Sequence, residues 1–211
     1  HDLNMLIYRS LNGSHNDISR VMYEMFKDEF IYGVSKNWYQ YKNHRWFRIR
    51  DGIPLKQKIS NQLLNEYLRY SNKLSNNIQT LSDDDPMKQI ELSKFEMTQK
   101  VVSKLKINSF KKSLMDECIE MFYNEEIEEK LDTNMYLIGF DNGVYDLKND
   151  LFREGIPDDF LSFSTGINYE EFNEEDEVIK QIKLFMSQII PVDATREYVL
   201  TLMSSFLDGK I

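Results

Sequence analysis

Apolar residues recur along this chain at two different periods, and the changes of period divide it. Over residues 14–30, Ile18, Val21, Met22, Met25 and Phe26 share one helical stripe. Ser14 or Asn16 can cap that helix by accepting a backbone N–H, with Asp17 near the positive end of its dipole. Over residues 35–41 and 44–49 the aromatic and branched residues predict two short strands that turn at Lys42-Asn43. Alternation puts Tyr39 and Tyr41 on one face and Trp38 on the other, and sets Trp46 and Arg48 opposite Arg45, Phe47 and Ile49. Asp51-Gly52 closes this hairpin with a turn. The helical period then returns. Pro54 suits a first turn, and Ile59, Leu63, Tyr67, Tyr70 and Leu74 carry the stripe towards Thr80. Ser82-Asp-Asp-Asp-Pro86 stops that helix and starts another, which reaches about Lys106. A fourth begins at Ser109 as cap and aligns Phe110, Leu114, Cys118, Met121 and Phe122. Short connections between these helices predict an antiparallel bundle.

A second change falls at Asp132. Residues 135–140 and 144–147 flank Asp141-Asn142-Gly143, a strong hairpin signal. Residues 151–155 form a third short strand and residues 162–166 a candidate fourth. An acidic stretch, 170–177, caps a helix with Val178, Ile182, Phe185 and Ile189 on one stripe. Pro191 ends it, and Asp193 caps a last helix carrying Tyr198, Leu202, Met203 and Phe206. The expected fold is α+β: a mainly helical bundle with an aromatic β-hairpin near the N-terminus and a small antiparallel β-meander in the second half. The expected divisions are 1–131, 132–169 and 170–211.

Charge sharpens this division. The net charge of -9 conceals +7 between Ile31 and Lys73 and -17 between Asp116 and Glu177. Such a split suits an anionic partner at the basic part, pairing of the two parts across a boundary, or simple solvation. No apolar run approaches the roughly 18 residues that span a bilayer, and the start lacks a signal-peptide pattern. A cytoplasmic setting and no membrane partner are expected. The single cysteine, Cys118, sits on an apolar stripe and reads as a core thiol. Ala194 is the only alanine, while Asn, Lys and Ile abound, a bias that fits an AT-rich coding genome. The absence of an initiator methionine suggests a piece of something longer.

Candidate chemistry is sparse. There is no Gly-rich loop ending in Lys-Ser/Thr, no His-Glu-x-x-His pair and no Gly-x-Ser-x-Gly elbow. The three histidines, His1, His15 and His44, are scattered. No catalytic residue, metal ligand or cofactor is therefore expected in this chain. The remaining candidate is the stretch 36–50, where both tryptophans lie among cations. Lys36, Tyr39, Lys42, Arg45, Arg48 and Arg50 are candidate nucleic-acid contacts: aromatic faces can stack on bases, and Lys/Arg neutralise phosphates. Trp38, Tyr41, Trp46 and Phe47 read as hairpin core. The cations remain open between phosphate contact and a solvated edge. A metal-dependent nuclease using the acids between Asp141 and Asp159 stands as a weaker alternative.

Several segments together resemble a known family. Gly13-Ser-His-Asn-Asp17, Trp38-Tyr-x-Tyr-x-x-His-Arg-Trp46 and Leu55-x-x-x-Ile-Ser60 are similar to the D5 N-terminal domain of viral D5-like helicase–primases. So are Phe140-Asp-Asn-Gly-Val-Tyr-Asp-Leu147 with Phe152-Arg-x-Gly155, Thr165-Gly-Ile-Asn-Tyr169, and Leu200-x-x-x-Ser-Ser-Phe-Leu-x-Gly209. The resemblance runs from about residue 12 to the end and rests on the order of these motifs. It implies a non-catalytic module between a primase and a superfamily 3 AAA+ helicase, in a large DNA virus. It further implies DNA replication in the host cytoplasm or viral factory, DNA and a homo-hexamer as partners, and ATP and Mg in the neighbouring helicase domain. A collar that only assembles the ring, without touching DNA, is the alternative it leaves open.

Overall fold

The computed structural model describes residues 3–208, so His1 and Gly209, the last residue of the closing motif, lie outside the described residues. The fold is α+β and mainly helical, with two three-stranded antiparallel sheets. The chain divides into two units, one of residues 1–41 and 47–128, the other of residues 42–46 and 129–211.

The first unit begins with α1 (Leu3–Arg9), a helix that the apolar pattern did not predict. Helix α2 (His15–Phe26) is capped by Ser14, whose Oγ accepts the Asp17 N–H at 3.1 Å. Its stripe is the predicted one: Ile18, Val21 and Met22 are fully buried. The helix stops at Phe26, four residues earlier than its period suggests. The β-favouring triplet Phe-Ile-Tyr then forms strand β1 (Phe30–Tyr32) instead. Strands β2 (Trp38–Lys42) and β3 (Arg45–Ile49) complete a sheet of order β1-β2-β3, so the expected hairpin gains a third strand. Its two-residue loop is Asn43-His44 rather than Lys42-Asn43. Both loop residues have positive φ, 48° and 64°, as a primed hairpin turn requires, and Asn tolerates that conformation well. The outer edge of β1 is occupied too: the Tyr32 N–H donates to Phe122 O at 2.8 Å, and the Asn124 N–H donates to Tyr32 O at 2.9 Å.

Helix α3 (Ile53–Lys58) carries Pro54 in its first turn and runs through a π turn, Ile59–Leu63, into α4 (Leu64–Thr80). The Asp85 carboxylate accepts the Met87 N–H at 2.8 Å and starts α5 (Pro86–Leu105). Helix α6 (Asn108–Met121) begins one residue before the predicted cap, Ser109, and has no side-chain cap. Helix α4 packs along α5, and α2 along α6. The core combines Ile18, Val21 and Met22 with Ile59, Leu63 and Tyr67, then with Val101, Leu105, Leu114 and Cys118. Burial pushes the Cys118 thiol up to about 12, which makes it an inert core side chain. The Tyr67 ring is fully buried, and its hydroxyl shares a hydrogen bond with Ser10, whose Oγ reaches Ile7 O at 2.7 Å. The short α7 (Ile127–Lys130) follows α6.

The second unit is built on the meander β4 (Leu137–Phe140), β5 (Gly143–Asp146) and β6 (Leu151–Arg153). Phe140 pairs with Gly143, and Val144 with Arg153. Residues 162–166 are not a strand. They run beside β4 all the same: the Thr165 N–H donates to Gly139 O at 2.8 Å, and the Asp141 N–H donates to Ile167 O at 3.0 Å. A Cβ at Gly139 would lie 2.5 Å from Phe163 O, so only glycine permits this approach. On the meander Phe152 and Tyr169 stack at 4.4 Å, with Phe140 and Tyr145 edge-on or tilted against Tyr169. The hairpin-tip residues belong to this unit. Trp46 Nε1 donates to Pro157 O at 2.8 Å, the Trp46 N–H donates to Leu161 O at 2.7 Å, and the Gly155 N–H donates to His44 Nδ1 at 3.1 Å. Arg153 grips the buried Asp159 with two hydrogen bonds of 2.7 and 2.8 Å.

Helices α8 (Glu177–Ile189) and α9 (Asp193–Ser205) form where the period predicts. Asp176 caps α8 by accepting the Val178 N–H at 3.0 Å, whereas Asp193 lies inside the first turn of α9 and does not cap it. Their stripes face solvent rather than a core: Phe185 is 58 % exposed and Tyr198 68 %.

The buried Tyr67 gives a test of this packing. Tyr67→Ala is expected to lower the unfolding free energy by about 3–5 kcal/mol through the cavity it leaves. Tyr67→Phe, which removes only the shared hydrogen bond with Ser10, is expected to cost about 1 kcal/mol. Urea unfolding of both variants checks the ratio.

Candidate nucleic-acid interface

The site grows from the turn between β1 and β2. The Gly33 N–H donates to Asn37 O at 2.9 Å and the Lys36 N–H donates to Gly33 O at 3.1 Å, which puts Lys36 at the exposed corner with φ 59°. Glu128 pins this turn from the side. Its carboxylate accepts the Ser35 Oγ–H at 2.6 Å, the Ser35 N–H at 3.2 Å and the Tyr39 hydroxyl at 3.1 Å. The Ser35 hydroxyl, foremost among these donors, holds the Glu128 carboxyl below its ordinary value.

Past the turn, Tyr32 and Trp38 pair across β1 and β2, with their rings 5.1 Å apart and inclined at 64°. Trp38 also meets the Phe122 ring edge-on at 5.7 Å. Trp38 is 5 % exposed and forms the base of an open cavity of about 580 Å³. The walls come from three places in the chain: Lys36 and Asn37 of the turn, Arg48–Asp51 at the end of β3, and Met115, Asp116 and Ile119 of α6. The corner after β3 is tight. Asp51 and Gly52 have φ of 53° and 61°. A Cβ at Gly52 would lie 2.9 Å from Trp38 Nε1 and 3.0 Å from the Met115 methyl carbon. The bare backbone of Gly52 thus sets how Trp38 and Met115 sit in the cavity.

Three of the six nominated residues meet here. Lys36, Arg48 and Arg50 all line the cavity and all are exposed. Arg50 stands 3.4 Å from the Asp51 carboxylate, with both side chains largely in solvent, so water screens that pair. The other three are elsewhere. Tyr39 is 8 % exposed and spends its hydroxyl on Glu128, which makes it scaffold rather than a stacking face. Lys42 is exposed, but it belongs with Arg45 to the second unit, where Arg45 Nη1 is 3.9 Å from the Asp141 carboxylate. Trp38 and Trp46 are buried, and Tyr41 and Phe47 half-buried, in keeping with their reading as core. The hairpin pattern could not have found the α6 wall. Asp116 lies more than sixty residues beyond Arg50, and its only local signal is a polar position next to the buried Met115.

The acids between Asp141 and Asp159 serve the backbone and their neighbours. Asp146 accepts the Lys148 and Asn149 N–H groups at 3.0 and 3.2 Å, Asp150 pairs with the Tyr145 hydroxyl, and Asp159 pairs with Arg153. Among the described residues no three His, Cys, Asp or Glu side chains are grouped to hold a metal ion, and no helix is long and apolar enough to cross a membrane.

The family model described as "D5 N terminal like" matches residues 19–190. The chain belongs to the D5 N-terminal-like family. Two relatives carry the same module. "Putative helicase L207/L206" of Acanthamoeba polyphaga mimivirus is 38% identical over 208 residues, covering 97% of this chain and 21% of that protein. "Putative helicase 121R" of Invertebrate iridescent virus 3 is 24% identical over 206 residues, covering 86% of this chain and 22% of that protein. The chain thus spans about a fifth of the length of the curated relatives it matches. Its module recurs in helicase-named proteins of large DNA viruses.

Two measurements probe this D5 N-terminal-like site. Gly52→Ala is expected to destabilise the protein by about 1–2 kcal/mol, since its backbone is left-handed. It should also shift the tryptophan emission by moving Trp38, whereas Gly139→Ala should leave Trp38 unchanged. The second concerns pH. The Glu128 carboxyl lies below its unfolded value, so its hold on the turn is complete above the ordinary 4.5 and is lost as pH falls through the depressed folded value. The Ser35 amide resonance should report this titration, and Glu128→Gln should abolish it.

Proposed function

We propose that this D5 N-terminal-like chain is a non-catalytic module of a viral replication helicase that contacts single-stranded DNA through the cavity between the β1–β2 turn, β3 and α6. The observation that carries the reading is the convergence of Lys36, Arg48 and Arg50. They come from two separate segments, line one cavity and keep their ammonium and guanidinium groups exposed. Three cations around one open cavity suit a strand whose phosphates they neutralise. The helicase names of the relatives support a nucleic-acid partner, and their length leaves room for the primase and ATP- and Mg-dependent helicase parts that such a module would join. Assembly as a ring, a hexamer in the full-length protein, belongs to the same proposal.

A second reading, a collar that assembles subunits without touching DNA, draws on a different observation. The apolar stripes of α8 and α9 are exposed, with Val178, Ile182, Ile189, Tyr198 and Met203 all more than half exposed. The two readings separate on one titration. Anisotropy of a labelled single strand, followed against salt, should show a salt slope that falls by about 2 in Lys36→Ala/Arg48→Ala/Arg50→Ala, at about 0.7 for each phosphate that is no longer neutralised. An unchanged affinity and slope in that variant would defeat the DNA contact and leave the collar.

A further inference from the structure

The cavity carries charge of both signs. Lys36, Arg48 and Arg50 line it from the turn and the end of β3, and a carboxylate, Asp116, lines it from α6. The two acids of the cavity differ. Asp51 lies against Arg50 at 3.4 Å, whereas Asp116 is exposed and has no hydrogen bond or ion pair among the described residues. A polyanion crossing this site must keep its phosphates to the cations, because a lone carboxylate repels them. What can approach Asp116 is the edge of a base. Met115 and Ile119 flank Asp116 on α6, and Tyr32 and Ile49 line the same cavity, so apolar side chains are available to an unstacked ring beside the carboxylate. The volume, about 580 Å³, lies within the ~300–1,000 Å³ usual for small-ligand clefts.

We propose that this cavity takes one unstacked base of the bound strand, and that Asp116 selects the base by accepting hydrogen bonds from its Watson–Crick edge. This rests on the proposed DNA contact. An ionised carboxylate only accepts. Guanine offers it two parallel donors, N1–H and the 2-amino group, and can engage both oxygens. Adenine and cytosine offer one amino group each. Thymine offers a single N3–H between two carbonyl oxygens that the carboxylate repels. The expected order is guanine first and thymine last. Asp116 is thus a specificity-determining residue, while Lys36, Arg48 and Arg50 supply affinity indifferent to sequence.

The test uses short thymidine single strands that differ only in one central nucleotide, dG, dA, dC or dT, in competition anisotropy with the whole chain. The dG strand should bind roughly tenfold more tightly than the all-thymidine strand, within the about 1–3 kcal/mol that a bidentate base contact discriminates. Asp116→Ala and Asp116→Asn should both collapse this ratio towards one. Asp116 is an exposed helix position, so neither variant threatens the fold. Removing its negative charge can raise affinity for every strand, and for that reason the ratio is the readout. Lys36→Ala/Arg48→Ala/Arg50→Ala should weaken all four strands alike and keep their order. Equal binding of the four strands by the unaltered chain would overturn base selection while leaving the DNA contact standing. A dG preference that survives both Asp116 variants would overturn the role of Asp116. No binding of any strand would overturn the contact itself, and the selection with it.

Discussion

The indole of Trp38 lies against a backbone that has no room for a side chain. Gly52 is left-handed, and any Cβ there would press on Trp38 Nε1 and on the Met115 methyl. Three elements meet at this contact: the corner between β3 and α3, the Trp38 ring of β2 and Met115 of α6. The cations at the rim are placed by the backbone that carries them, and Arg50 also stands 3.4 Å from the Asp51 carboxylate. Lys36 stands on a turn pinned by Glu128, and Arg48 and Arg50 stand at the end of a paired strand. Long cationic side chains can lie along apolar surface and keep their heads in water, which suits the proposed exchange of solvent for phosphate.

Most of the longer helices were legible because they carry their own evidence, whereas α1 does not and the caps expected at Ser109 and Asp193 are not made. A stripe at helical spacing, a capping Ser14 or Asp85 and a Pro in the first turn are local signals, and each was met. The strands were less so. Phe30 continues the helical stripe of α2 well enough to be read as its end, and only pairing with β2 and with the segment after α6 makes Phe30-Ile31-Tyr32 a strand. The hairpin loop was misplaced by one residue because Lys42, Asn43 and His44 are all polar. The choice between frames rests on backbone handedness, which side-chain pattern does not encode.

The candidate site was half legible for a related reason. Charge and aromatic density mark the stretch 36–50, but they cannot say which side chains share a surface. Trp38 and Trp46 look equivalent in sequence. One belongs to the core of the first unit, and the other donates to Pro157 O within the second. Tyr39, the most natural stacking candidate by residue type, is drawn inward because Glu128, far along the chain, offers an acceptor for its hydroxyl. The carboxylate that lines the cavity, Asp116, comes from a similar distance. Long-range pairing decided each of these, and nothing in the local window announces it.

The π turn at Ile59–Leu63 sits one step beyond the cavity corner, inside the continuous helical run that links Gly52 to the core around Tyr67. Such a turn is an α-helix that has accepted one extra residue. At 3.6 residues per turn that residue rotates everything before it by about 100° relative to everything after. The extra residue acts as a phase shifter. It lets Leu55 and Ile59 at one end and Tyr67 and Leu74 at the other all point inward, although they lie on one run whose two ends answer to different neighbours. Removing one residue from this stretch would therefore turn the Gly52 corner to a different azimuth, and the cavity would change shape with no change to its lining.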